Sequence, residues 1–398
     1  MSGHDVLARI RCRSPVMAPF DEPATELYFG GLTLGAWTEA AAAACGLRVV
    51  DVDLAVTAAV GERAGLLPTG TVVAVADNVL VNAASLRRMM HVARERGPVQ
   101  AAIGPGTPLW SASARLGHGV VDAPLPVALW AGPLGGRVLV SRLDRLELAT
   151  AEGAPAGVVV VADEAGAVVV DTRPHGVAPH QLTLASVEHL LGQPRHWLHV
   201  LDLSLAALLT RLRDIPLKVS PQRRRRQNVH PTARIERSII GANVTIEAHA
   251  SVTDSVIGDD VIVADHSVIH TSVIGDRCRT LVDTHLRRVV AMPGSTLSNL
   301  DMQDAIFGRE VFLTTGVAFF HDGPGKNVEV DGVDSGRSVL GGAIGRRAVL
   351  GSRALFRCGL ALPAGALVVA RPEEAVGKLD DASLARAAMR LGNRADDV

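Results

Sequence analysis

Lysine is almost missing from this chain. Of forty basic side chains only three are lysine, Lys218, Lys326 and Lys378, so no lysine precedes residue 218. The other thirty-seven are arginine, and a planar guanidinium does not replace a compact ammonium where a tight site needs one. Paired cysteines are missing as well: Cys12, Cys45, Cys278 and Cys358 lie far apart with no CxxC spacing, which fits a reducing cytoplasm. Net charge is close to absent. Forty basic groups face forty-one acidic ones, a formal charge of -1, and this balance advertises neither nucleic acid nor an anionic membrane. No charged-then-apolar signal segment and no long apolar span is visible, so the expectation is a soluble cytoplasmic protein with small-molecule or protein partners.

What is present in quantity is a repeat. Three blocks of seventeen residues, "IIGANVTIEAHASVTDS", "VIGDDVIVADHSVIHTS" and "VIGDRCRTLVDTHLRRV", follow one another without a gap from residue 239. Their aliphatic residues, Ile240, Ile246, Val252, Ile257, Val263, Ile269 and Ile274, step by six, six and five. That period belongs to neither a helix nor an alternating strand. It is the hexapeptide signature of a left-handed parallel β-helix, three short sides to a coil with one aliphatic residue per side filling the interior. Gly241, Gly258 and Gly275 follow the aliphatic residue as turn formers. The step returns at Ile344, Leu350, Phe356, Leu362 and Val368. Between the runs, residues 318–342 are too rich in glycine and charge to continue the coil and read as a loop thrown from one corner. Coils of this kind bury a side against copies of themselves, so a homotrimer is expected.

The first half has another rhythm. "TVVAVA" at 71–76 reads as a strand ending at Asp77, followed by a helix capped by Asn82. "GAWTEAAAAACGL" reads as a helix, "LRVVDV" as a strand, and 154–171 as a hairpin across Glu164 to Gly166. Alternating strands and helices predict a mostly parallel α/β domain with ligands at strand carboxyl ends, where Asp77 stands. The reading is therefore an α/β Rossmann-like domain over 1–217, a basic linker over 218–228 in which the four arginines 223–226 are solvated, a left-handed β-helix over 229–372 and a tail over 373–398. Residues 197–215 at the end of the first domain read as a helical link, and "LDDASLARAAMRLGN" in the tail as a short helix capped by Asp380 or Asp381.

A Rossmann-like domain, a helical link and hexapeptide coils resemble the bifunctional sugar-1-phosphate nucleotidylyltransferase and acetyltransferase family. The segment "HDGPGKNVEVDGVDSGRSVLGGAIG" is similar to that family's loop HDGKN followed by VDSGRRKLGAIIGD. "VAVADNVLVNAASLRRMM" looks like its strand with the metal-binding aspartate, and "VLDLSLAAL" like its PWDLLEAN link. The resemblance implies a nucleotidyltransferase domain in which Asp77 and Asp202 hold Mg2+. The phosphate-binding GxGTRM loop of active relatives is not present, and "RCRSPVMAPFDEP" stands in its place, leaving Arg9, Arg11 or Arg13 as the clamp.

In the acetyltransferase half the family's basic histidine aligns with Ser298, its tyrosine with Asp301 and its asparagine with Ala318. Lys326 matches a loop lysine, and His321, His270 or His285 is left to supply a base. Three functions stay open: a nucleotidylyltransferase that joins a nucleoside triphosphate to a sugar phosphate; an acyl-CoA-dependent acyltransferase acting on an amino sugar; and a non-catalytic nucleotide-sugar-binding protein or scaffold.

Overall fold

A computed structural model describes residues 5–12, 16–56, 63–103, 125–134, 137–142, 145–148, 158–161, 166–171, 181–186, 188–215, 227–320 and 326–369. Arg13, His321, the arginine run 223–226 and the expected C-terminal helix lie outside these residues.

The C-terminal half is a coil of short parallel strands, and it fits a left-handed β-helix of hexapeptide repeats. Its sides are an eight-rung sheet from Asn228–Val229 to Leu367–Val368, a seven-rung sheet from Ile239–Ile240 to Ala361–Leu362, and a five-rung sheet from Arg234–Glu236 to Asp301–Gln303. Rungs pair parallel with the residue seventeen further on, Ile240 with Ile257 and Ile257 with Ile274, until His285–Arg287, which pairs sixteen further on with Asp301–Gln303. Inward aliphatics such as Ile246, Val263, Ile269, Ile274 and Leu286 are essentially inaccessible and form one continuous core.

The corners explain the polar half of the repeat. Asn243, Asp260 and Arg277 form one column of positive φ, and His249, His266 and Asp283 another, and Asn, Asp and His are the non-glycine types that tolerate this region best. At a third kind of position the side chain must be missing altogether. A Cβ on Gly258 would stand 2.4 Å from Oδ1 of Asp276, the carboxylate that accepts the Asp259 N–H at 2.9 Å. The coil includes Ala318–Phe320, which pairs with Leu355–Arg357, and it resumes at Ala343–Ile344, so the inserted loop leaves and re-enters through neighbouring rungs.

The front half centres on a six-stranded sheet. In spatial order it runs Val158–Val161, Val99–Ile103, Leu125–Leu134, Thr71–Ala76, Val6–Arg11, Arg48–Asp53. The sheet is mixed rather than all parallel, because Leu125–Leu134 runs antiparallel to both neighbours. Two helices, α1 (Leu34–Ala44) and α2 (Ala83–Arg96), follow strands as expected, and the Asn82 side chain accepts the Ser85 N–H at 3.0 Å. The turn of the hairpin expected across Glu164 to Gly166 lies largely outside the described residues, and the described strands on either side of it pair elsewhere. Val158–Val161 joins the main sheet beside Val99–Ile103, while Gly166–Asp171 pairs with Gln181–Ser186; four valines in a row carry no alternation to hold them on a one-sided hairpin.

Helix α3 (Trp197–Leu212) joins the halves, with thirteen of its sixteen residues buried. It packs between Tyr28–Phe29 of the front half and the outer side of the seven-rung sheet, so that Val256, Val273, Val290 and Ile306 of the coil belong to the front domain's core. Adjacent residues therefore serve different cores: Val273 faces out to α3 and Ile274 faces into the coil. A second junction is polar: Arg309 bonds Glu22 (3.1 Å) and lies 5.2 Å over the Tyr28 ring, and Arg346 bonds Asp21 (2.7 Å). All four tryptophans sit at or before residue 197, which separates the two cores in solution. Ile274→Ala should destabilise the coil by about 2–5 kcal/mol and shift the far-ultraviolet circular dichroism transition in denaturant. Val273→Ala should instead shift the tryptophan fluorescence transition first; identical responses of the two probes to both variants would contradict the two-core description.

Candidate functional site

The strand-end site is built from three neighbouring strands. Asp77 follows Thr71–Ala76, donates its N–H to the Ile10 carbonyl (2.9 Å) and accepts the Cys12 N–H on Oδ1 (3.2 Å). Burial pushes its carboxyl above the usual range, opposed by the Cys12 amide and the charges of Arg9 and Arg11. Those two arginines point toward Asp51 on the adjacent strand. Arg9 grips it through Nε (2.6 Å) and a terminal nitrogen (3.1 Å) and also reaches Glu39 (3.2 Å), and Arg11 bonds it at 2.7 Å. The hydrogen bond to Asp51 raises the Arg9 pKa, and the same bond lowers that of Asp51. Two cations are thus met by Asp51, Glu39 and, at 3.8 Å from Arg11, Asp53. Among the described residues no group of three or more histidine, cysteine, aspartate or glutamate side chains converges where a metal ion could be held.

Asp202 lies elsewhere. It sits on α3, and both its oxygens accept from one terminal nitrogen of Arg337 at 2.6 Å. Arg337 comes from the inserted loop, so this pair ties the front domain to the coil's insertion. Burial pushes the Asp202 carboxyl up while Arg337 opposes it; on Arg337 burial acts downward and is outweighed by Asp202. A further pair lies within electrostatic reach, Asp304 with Arg288, bonded at 2.7 and 2.5 Å with both side chains 1% exposed. Two carboxylates and two guanidinium groups, the Arg288–Asp304 pair fully buried and the Arg337–Asp202 pair partly so, leave no net charge at the junction.

The inserted loop folds into a two-strand hairpin, Glu329–Val330 with Val333–Asp334, whose Val328 and Val330 are buried in the front domain's core. Its tip residue Asp331 bonds Nε2 of His196 at 3.0 Å, and the other nitrogen of that imidazole caps α3 by accepting the Leu198 N–H. The hairpin rests on the coil at Gly359, where φ is +81° and a Cβ would stand 2.2 Å from the Glu329 carbonyl oxygen. Between hairpin and rung opens a cavity of about 460 Å³. Lys326, Glu329 and Asp331 stand on the hairpin side, with Arg357 and Cys358 on the rung side. It thus offers two cationic and two acidic groups and a thiol.

The remaining sequence candidates spread along the coil. Ser298 is buried and its Oγ accepts the Val317 N–H (3.1 Å), a corner bond of the coil. Asp301 is one rung above His285 on the outer five-rung face and accepts from Gln303 (2.9 Å). His270, on the same face, has Nδ1 3.0 Å from Thr271 Oγ1 and Nε2 3.9 Å from Asp254. Ala318 begins a rung. Lys326 is the only one of these in the cavity wall. Sequence reasoning passed over Arg337, His196 and Arg357. Arg337 lay inside the quoted "VDSGR", but nothing in that run names a partner 135 residues earlier.

Burial is the largest influence on His270 and lowers its pKa, helped by Arg287, Arg288 and Arg237 and opposed by Asp254. The fold therefore favours the neutral ring. Its contribution to stability is complete above the ordinary value of 6.5 and is lost as pH falls through the lower folded value. Stability measured by denaturant from pH 7.5 to 5 should fall more steeply in the natural protein than in His270→Gln; parallel curves would show that the ring is not held neutral.

Residues 227–318, the first rungs of the coil, match a family model described as GlmU-like, C-terminal hexapeptide. No curated protein matches the chain. Among solved structures, the chain is similar to a point mutant of GDP-perosamine N-acetyl transferase from Caulobacter crescentus in complex with CoA and GDP-perosamine, at 22% identity over 37% of this chain and 51% of that one, with a TM-score of 0.18. It is also similar to PerB from Caulobacter crescentus in complex with CoA and GDP-perosamine, at 19% identity over 37% and 52%, with a TM-score of 0.14. The chain spans about half the length of each, and at these scores neither carries an argument about its chemistry.

Proposed function

We propose that this protein is an acyl-CoA-dependent acyltransferase of the hexapeptide-repeat class acting on an amine of a sugar-type acceptor. The observation that carries this reading is the position of the cavity. It lies on the coil, where the inserted loop folds back, and holds Lys326 in its wall. Beside Asp77, in contrast, Arg9 and Arg11 are already engaged by Asp51. The match of the first rungs to a hexapeptide family model supports the same half of the chain as the seat of the chemistry.

In the reaction the acceptor nitrogen attacks the thioester carbonyl, the C–S bond breaks, the acyl group passes to nitrogen and the amine proton ends on the CoA sulfur. A base near neutrality is needed to take that proton. We assign it to His321, five residues before Lys326 in the same loop. Lys326 is assigned to an anionic group of a substrate, a role for which a compact ammonium is suited. A homotrimer belongs to this reading. Phe312, Val349 and Leu367 stand on successive rungs of the eight-rung face and are 47%, 37% and 69% exposed, an apolar stripe that a second copy would cover.

Acetyl-CoA at one hundred times its dissociation constant should stabilise the protein by about 2.7 kcal/mol, read as a rise in melting temperature. With glucosamine 1-phosphate as acceptor, free thiol should appear; His321→Ala should lower kcat by about 100-fold or more and Lys326→Ala should raise KM. The reading fails if acetyl-CoA neither shifts melting nor releases thiol. Release of pyrophosphate from a nucleoside triphosphate and a sugar 1-phosphate, abolished by Asp77→Ala, would transfer the function to the strand-end site.

A further inference from the structure

The front domain and the coil's cavity are connected by four polar side chains and two apolar ones. From the front domain come Asp202 and His196, both on or at the start of α3; from the insertion come Arg337 and Asp331, which receive them. Val328 and Val330 add an apolar anchor in the front core. The hairpin itself has only two short strands, and an isolated hairpin of that size is not stable in water. Its position over Gly359 therefore depends on groups outside it.

We propose that α3 acts as a positioning element for the cavity, with Asp202 and His196 holding the hairpin of residues 329–334 closed against the corner of the coil at residues 357–361. The front domain then has a function that needs no chemistry at its own strand ends: it sets the width of the cavity and the place of Lys326. The consequence for substrate capture rests on the acyltransfer reading; the positioning itself rests on the contacts alone. The arrangement also accounts for a largely desolvated ion pair, Asp202 with Arg337, at a domain junction. Such a pair contributes little net stability against an apolar pair of similar volume, but it fixes one register.

Cys358 in the cavity wall is a natural reporter. Cys12 and Cys278 are buried, the Cys278 thiol being pushed up to about 12 by burial, and burial raises the Cys45 thiol as well. Alkylation of the full-length protein by iodoacetamide, followed residue by residue with peptide mass spectrometry, should therefore read opening at Cys358 separately from unfolding. Asp202→Asn should speed modification of Cys358 about ten-fold or more while Cys45 and Cys278 keep their rates, and His196→Gln should act in the same direction. Asp202→Glu, which keeps the carboxylate, should slow it again. An unchanged Cys358 rate in Asp202→Asn overturns the proposal, as does parallel acceleration at Cys45 and Cys278, which would mean general loosening. If the selective opening occurs but acetyl-CoA does not protect Cys358 in the natural protein, the positioning role stands and the acyltransferase reading of the cavity falls.

Discussion

The parallel register of the coil is the constraint on which the remaining structure depends. Each rung donates and accepts hydrogen bonds with the coils below and above, as where the Val256 N–H meets the Ser272 carbonyl and the Val273 N–H meets that of Val289. One coil consumes about seventeen residues, so any outward position is repeated seventeen residues later one rung higher. Columns follow automatically. Valines at 256, 273 and 290 make one apolar stripe, and α3 covers it. Serines at 238, 255 and 272 make a ladder in which each Oγ accepts the N–H one coil on. A loop can enter only at a corner, where the pairing of two rungs is not interrupted.

The junction then follows from what a covered stripe leaves unsatisfied. Packing α3 over the seven-rung face removes most of the water from the charged groups at its edge, and a buried charge without a partner costs several kcal/mol. Asp202 on the helix, Asp304 and Arg288 at the corner, and Arg337 on the loop cancel one another there. The neutral sum is obtained only when helix, corner and loop are all in place. Removing one member exposes the others to an uncompensated interior, which makes the insertion part of the domain interface rather than an appendage of the coil.

Much of the coil was legible in the sequence because its signal is periodic and local. The inward residues from Ile240 to Ile274 and the small residues at Gly241, Gly258 and Gly275 fall where the structure uses them. The helix capped by Asn82 and the link helix were readable for the same reason, since caps and apolar runs act within a few residues. The candidate site was far less legible. Asp77 was correctly placed at a strand end, yet its surroundings depend on Asp51 capturing Arg9 and Arg11 across a strand pairing that no short window displays. Asp202 matched a motif by position, while its partner stands in the loop 135 residues later. Lys326 was found through a loop resemblance, and the cavity beside it comes from the hairpin resting on Gly359, a contact between two stretches that share no pattern.

Electrostatics gives the reason to look for chemistry on the coil. A phosphate clamp needs cations whose hydrogen-bonding edges face the ligand site, and the Arg9 guanidinium is spent on a carboxylate that it holds through two nitrogens. Releasing it would strand Asp51, whose pKa is depressed because of that bond. A ligand phosphate at this place would have to compete with an intramolecular carboxylate already oriented by the sheet. In the cavity the charges are divided between elements: Lys326 precedes the hairpin, Glu329 and Asp331 belong to it, and Arg357 stands on the coil. A bound molecule there is surrounded by charges of both signs whose separation is set by the hairpin, so the geometry that matters is the distance between two elements. That distance is governed by α3, which is why the front domain belongs to the account of the site even where its own strand ends carry no assembled metal group among the described residues.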